Sequence, residues 1–205
     1  MESELLRIFD EQGKEIGTAP RSVVHIEGHW HETFHCWFTE RIAGEDFIYF
    51  QIRSSVKKDY PNLLDITAAG HLLANEDTVD GLREVKEELG IDIGLDELFF
   101  VGTIKASLVS SNFIDKEMCH VYVYNKHVPL EKYSLQKEEV SGIIRTSLDA
   151  FEKLWFGEVR ELEAEGFTLN PDGQKQPLVL KVVKDQFVPH EDEYINSVIK
   201  AIREI

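Results

Sequence analysis

The chain has 205 residues, of which 42% are hydrophobic and 29% charged, and its 38 acidic against 22 basic side chains give a formal charge of −16. These proportions exclude disordered, collagen-like and coiled-coil classes, and a chain of this length buries roughly 70% of its unfolded surface without needing disulfides or a structural metal. The negative charge repels a phosphodiester backbone and an anionic lipid face, so neither nucleic acid nor membrane is an expected partner; a polyphosphate stays accessible where divalent cations separate it from the carboxylates.

The pattern at Leu5–Asp10 predicts a short strand, with DEQG as its turn and Lys14–Gly17 as the returning arm, followed by a polar lead-in through Pro20 and Arg21. Thr33–Thr39 (TFHCWFT) and Phe47–Arg53 (FIYFQIR) are rich in aromatic and β-branched residues around an Ala-Gly-Glu-Asp turn, and predict a central hairpin. A strand is expected over Leu63–Ala69 and a helix over Thr78–Leu89, closed by Gly90, with Val79, Leu82, Val85 and Leu89 as its apolar stripe. Further strands are expected over Phe99–Ala106, Met118–Tyr124 and Glu138–Ile144, a helix over Ser147–Glu165, and a terminal helix over Asp192–Ile205. The expectation is one α/β domain spanning residues 1–205, with a hairpin and lead-in over 1–30, a mixed sheet between helices, and a closing helix within 190–205.

Cys36 and Cys119 lack CxxC spacing and are too few for a disulfide framework, which favours a reducing compartment. The first residues, MESELLRIFDEQGKE, carry charges where a signal sequence needs an apolar run, so a cytoplasmic protein is expected. The oligomeric state is not legible, and a homodimer is left open.

Chemistry concentrates in Gly70–Ile91, GHLLANEDTVDGLREVKEELGI. Glu84, Glu87 and Glu88 stand at i, i+3 and i+4, so on a helix their carboxylates converge and repel one another. Mg²⁺ or Mn²⁺, which take oxygen ligands, would remove that repulsion, and Arg83 would orient one carboxylate through a charge-assisted bond. A bare E-x-x-E-E is more often a solvated acidic face.

The surroundings reverse that weighting. The segment resembles the Nudix box, G-x5-E-x7-R-E-U-x-E-E-x-G-U with U aliphatic: Gly70, Glu76, Arg83, Glu84, Val85, Glu87, Glu88, Gly90 and Ile91 match in order. One departure is that six residues, and not seven, separate Glu76 from Arg83, which puts the role of Glu76 in question. The resemblance implies an α/β/α sandwich and a metal-dependent hydrolase that attacks a pyrophosphate bond in a nucleoside diphosphate derivative. It also implies Glu84, Glu87 and Glu88 as metal ligands, Glu84 alternatively as base, and Arg83 as orienting partner.

A second resemblance runs from Leu6 to about Leu154 and is to the isopentenyl-diphosphate isomerase branch of the same superfamily, through FDEQGKE, WHETFHCWF and AAGH before the helix. It implies a metal site of histidines and two acidic residues, onto which His71, His31, Asp115 and Glu117 map. Ala69 stands where those isomerases place a catalytic cysteine, and a methyl group can neither donate nor accept a proton. Isomerase chemistry and a non-catalytic ligand-binding module are the alternatives to hydrolysis. His25, His29, His31 and His35 also crowd within eleven residues, the last three at spacings that share a strand face. Trp30 and Trp37 are open to core or ring-stacking roles, and Glu138 or Glu139 to that of a late carboxylate.

Overall fold

The computed structural model describes residues 4–110 and 113–205. The N-terminal hairpin forms as expected, with β1 (Leu5–Phe9) pairing antiparallel to β2 (Glu15–Pro20). The lead-in is not a loop: Pro20 opens α1 (Arg21–Glu27), which Gly28 closes in the left-handed conformation at φ 71°. The helix is only seven residues long and too polar to show a clear period.

The central hairpin is longer than the aromatic runs, with β3 over Trp30–Ile42 and β4 over Glu45–Arg53. β3 and β4 pair only from Thr39 to Ile42 and then part. The expected strand at Leu63–Ala69 is two strands: β5 (Leu64–Ile66) pairs with β4, whereas β6 (Ala68–His71) pairs with β3. Thr67 sits between them and is fully buried. Its hydroxyl donates to Tyr49 O at 2.7 Å and accepts the Phe38 N–H at 2.9 Å, stitching the two arms where the ladder opens.

The box helix, α2 (Leu82–Leu89), starts four residues later than the expected Thr78. Asp77 Oδ1 claims the backbone N–H groups of Val79 and Asp80, and Asp80 Oδ2 claims that of Asp77, so this stretch is held as a turn. Two long strands come next, β7 (Phe99–Ser110) and β8 (Phe113–Asn125), the latter lying parallel to β3 and making the sheet mixed. β9 (Val140–Ser147) pairs with β4, and Ser147 caps α3 (Leu148–Trp155) through its side chain.

The helix expected over Ser147–Glu165 stops at Trp155, where Gly157 adopts φ 80°. The remainder of that stretch enters β10 (Leu162–Leu169), which pairs with β11 (Lys175–Val182). The Leu-Glu-Ala-Glu run has period two: Leu162 and Ala164 are buried while Glu163 and Glu165 face out. The chain closes with α4 (Asp192–Glu204), whose Ile195, Val198, Ile199 and Ile202 are buried as its spacing predicts.

The strands form one sheet with main order β11-β10-β9-β4-β3-β1-β2. One core cluster packs Trp37, Ile48 and Phe50 against α3 and α4; a second packs Phe34, Cys36 and Phe38 against Val85 and Leu89 of α2. Helices thus cover both faces, the α/β/α sandwich with mixed sheet that the sequence implies. No helix among the described residues is long and apolar enough to cross a membrane. Thr67→Val keeps the shape of the side chain but leaves a buried N–H and a buried carbonyl without their partner, and should cost about 2 kcal/mol or more in urea denaturation.

Candidate active site

A cavity of about 530 Å³ runs along the split between the two arms of the sheet. Glu84, Glu87 and Glu88 of α2 line one wall, and His71, Asp115 and Glu117 line another. The sheet positions α2 closely: Gly70 of β6 passes under the helix with so little room that a Cβ there would lie 2.2 Å from the Glu84 carboxyl carbon.

Arg83 is the pivot of the carboxylate wall. Its Nε and Nη2 donate to Glu76 at 2.6 and 2.9 Å, Nη1 donates to Glu84 Oε1 at 2.5 Å, and Nη2 also reaches the His71 carbonyl at 3.0 Å. Glu76 in turn accepts the Leu73 N–H at 2.8 Å. Glu76 is therefore engaged in holding Arg83 and the preceding loop, which accommodates the loop that is one residue short. Glu87 is half-exposed and 3.4 Å from Arg83, whereas Glu88 is 3% exposed and accepts from the Ala69 N–H at 3.2 Å and from Gln51 at 3.4 Å.

Burial raises Glu84 to about 7 and Glu88 to about 8; their mutual repulsion adds to the shift of Glu88, while the charge of Arg83 offsets part of that of Glu84. These two carboxyls are short of positive charge, the state that a bound cation relieves. The oxygen donor set suits a hard divalent ion.

Beside the second wall His25 from α1, His71 from β6 and Asp115 from β8 gather with the fully buried His31 from β3 behind them, one ligand atom of each within 4.8 Å of the others. The three imidazole centroids are 5.1–5.2 Å apart. Asp115 Oδ1 is 3.2 Å from His25 Nε2 and 3.4 Å from His31 Nε2. His31 Nε2 and His71 Nε2 are buried without a hydrogen bond. Burial lowers the values of both rings and keeps them neutral, as metal-binding imidazoles must be. Three nitrogens and one oxygen suit a borderline transition ion.

The spacing of histidines proves a poor guide to this group. His29 lies outside it, 2.8 Å from Glu27, and His25 enters from a helix. His35 turns to the Tyr194 hydroxyl at 2.8 Å and to Glu117 at 3.4 Å. Burial disfavours the charge on Glu117, but His35 outweighs it and keeps this carboxyl below its usual range. Trp37 is core, and Trp30 bonds to Glu11 at the surface, so neither lines the cavity. Neither cysteine lines it either, and burial pushes both thiols upward. Glu139 does reach it and pairs with Lys57. Arg21, Lys57 and His190 also line the cavity. They are scattered along the chain, and no local pattern marked them.

Comparison with known proteins places the chain in a family. The chain is 40% identical over 202 residues to an uncharacterized Nudix hydrolase of Clostridium acetobutylicum, covering 98% of both sequences. The chain belongs to the Nudix hydrolase family. The enzyme class expected of this Nudix chain, a hydrolase of pyrophosphate bonds, is that of the family. It is also 29% identical to an isopentenyl-diphosphate Delta-isomerase of Paenarthrobacter aurescens, over 59% of this chain and 65% of the other. Among solved structures, the DR0079 protein of Deinococcus radiodurans superposes with a TM-score of 0.52 at 18% identity, covering 71% of this Nudix chain and 85% of its own. No family model matches.

The raised carboxyls have a consequence for stability. A group whose folded value exceeds its unfolded one stabilises at low pH and loses that contribution as pH rises through the folded value. Glu84 and Glu88, whose ordinary value is 4.5, therefore make the metal-free protein progressively less stable from about pH 4.5 up to about pH 8, where the loss is complete. Below about pH 6.5 the lowered values of His31 and His71 act in the opposite direction, because the unfolded chain then binds the extra protons. Urea midpoints in chelator should fall between about pH 6.5 and pH 8, where the histidines no longer oppose the carboxyls, and Glu88→Gln should flatten the fall.

Proposed function

We propose that the protein hydrolyses the pyrophosphate bond of a nucleoside diphosphate derivative, using Mg²⁺ or Mn²⁺ held by Glu84, Glu87 and Glu88. The observation that supports this most directly is the pair of buried carboxyls, Glu84 and Glu88, lining a cavity where Arg83 offsets the first and Lys57 the second only in part. When bound, a divalent ion acidifies water and neutralises charge on the leaving phosphate. Arg83, fixed by Glu76, holds Glu84 in place as ligand or as base. Arg21 and Lys57 supply positive charge at the rim for the substrate's phosphates. The fixed Ala69 and Gln51 contacts orient Glu88.

The isomerase alternative is disfavoured by Ala69, which offers no proton to a double bond, and by the absence of either thiol from the cavity lining. The resemblance to that branch fits the imidazole group better. His25, His31, His71 and Asp115 would hold a second, softer cation, separate from the carboxylate wall.

Phosphate release from a panel of nucleoside diphosphate derivatives with Mg²⁺ tests the hydrolase reading. Glu88→Gln should lower kcat by about 100-fold or more, since it keeps the volume but loses the charge, and neither protein should exchange protons into isopentenyl diphosphate. Full activity of the variant at limiting Mg²⁺ would contradict the ligand assignment. His71→Ala should lose about one equivalent of tightly bound Mn²⁺ or Zn²⁺ in metal analysis after dialysis, and unchanged metal content would contradict the second site.

A further inference from the structure

After β11 the chain comes back to the cavity. The Val188 N–H donates to Leu64 O at 2.9 Å and Phe187 bridges Leu64 in parallel register, so this stretch adds to the free edge of β5 and delivers His190 to the cavity wall. His190 Nε2 lies 2.7 Å from Asp65 Oδ1. The same carboxylate accepts from Arg53 at 2.7 Å through Oδ2 and from the Ile66 N–H at 2.9 Å through Oδ1.

Asp65 is 7% exposed, and burial alone would favour its neutral form. The bond from His190 and the charge of Arg53 outweigh burial and hold it well below the ordinary carboxylate range. An ionised carboxylate only accepts, so Nε2 carries the ring proton and Nδ1 is the lone-pair nitrogen of the neutral ring. No hydrogen bond among the described residues engages Nδ1. The ring is clamped flat on Tyr194, with centroids 5.3 Å apart and planes 29° from parallel.

The position connects both walls. Asp65 stands opposite Gln51 in the β4/β5 ladder, and Gln51 donates to Glu88. On the other side Glu117 lines the same cavity as His190. A buried carboxylate fixing the tautomer of a cavity imidazole is one arrangement through which general acid–base chemistry works.

We propose that Asp65 and His190 form an acid–base pair for the reaction in this cavity, with His190 Nδ1 taking the proton of the attacking water. This rests on the hydrolase reading above. The water oxygen forms a bond to phosphorus and the bridging P–O bond breaks. The electron pair leaves with the departing phosphate, and the proton passes from water to Nδ1 and then to that phosphate or to solvent. Arg53, by contrast, is occupied with Asp65 and with the carbonyls of Asp59 and Tyr60, and holds the loop before β5.

The bland alternative is a clamp that only ties the C-terminal segment to β5. His190→Gln retains an N–H for Asp65 but has no basic nitrogen. With the full-length protein, Mg²⁺ and the best substrate of the panel, it should fold cooperatively and lose about 100-fold or more in kcat, while KM changes by less than about threefold. His190→Ala should regain part of its lost kcat when free imidazole is added, which a clamp does not predict. An unchanged kcat in His190→Gln, a loss confined to KM, or a folded His190→Ala that imidazole does not rescue overturns the pair. A wild-type protein that hydrolyses no diphosphate overturns the hydrolase reading and the pair with it, whereas an active wild type with an equally active His190→Gln overturns the pair alone.

Discussion

Burying carboxyl groups beside a single arginine is the constraint around which this protein is arranged. Glu84 and Glu88 are removed from water on one turn of α2, where Glu84 disfavours ionisation of Glu88 and Glu87 that of Glu84, and Arg83 cannot neutralise them all. A folded chain tolerates such a concentration of acid by retaining a proton, as the raised values of both groups show, or by gaining another cation that repays the desolvation. Arg83 is itself immobilised, by two bonds to Glu76 and one to the His71 carbonyl, so the helix, the preceding loop and β6 move as one piece. The wall is preorganised by its own charge pairing before any ligand arrives.

The opening that accepts the ligand comes from the sheet. β3 and β4 share a ladder only near their hairpin, and each then takes a different short partner. That divergence creates the space between the arms, with Thr67 bridging its base. Parallel β8 brings Asp115 and Glu117 alongside His31, a pairing between residues more than eighty positions apart. The C-terminal segment then closes the free edge of β5. The cavity is therefore assembled by long-range contacts, while its most recognisable wall is local.

That division explains which features are legible in the sequence. The helix carboxylates share one turn, so their chemistry can be read from spacing, and Gly90 marks their C-cap as expected. The closing helix likewise announces itself through Ile195, Val198 and Ile202. His25, Asp65 and His190 come from three separate elements and acquire meaning only when tertiary pairing unites them. The overlong helix expected after Ser147 has a local cause: Ala, Leu and Glu are good helix formers, and in Leu162–Glu165 that propensity masks an alternation with period two. The late start of α2 is visible in its backbone bonds, which reach only three residues back from Asp80 to Asp77, from Leu82 to Val79 and from Arg83 to Asp80, a run of turns that leads into the helix.

Gly70 illustrates how a reactive group can restrict its neighbour. Its backbone lies outside the left-handed region, so conformation alone would admit other residues, yet a methyl there collides with the carboxyl of Glu84 and not with main chain. Any larger residue at this position must displace the Glu84 carboxyl, the far end of a flexible chain, before it disturbs the sheet, so the smallness of one residue sets where the acid above it can sit.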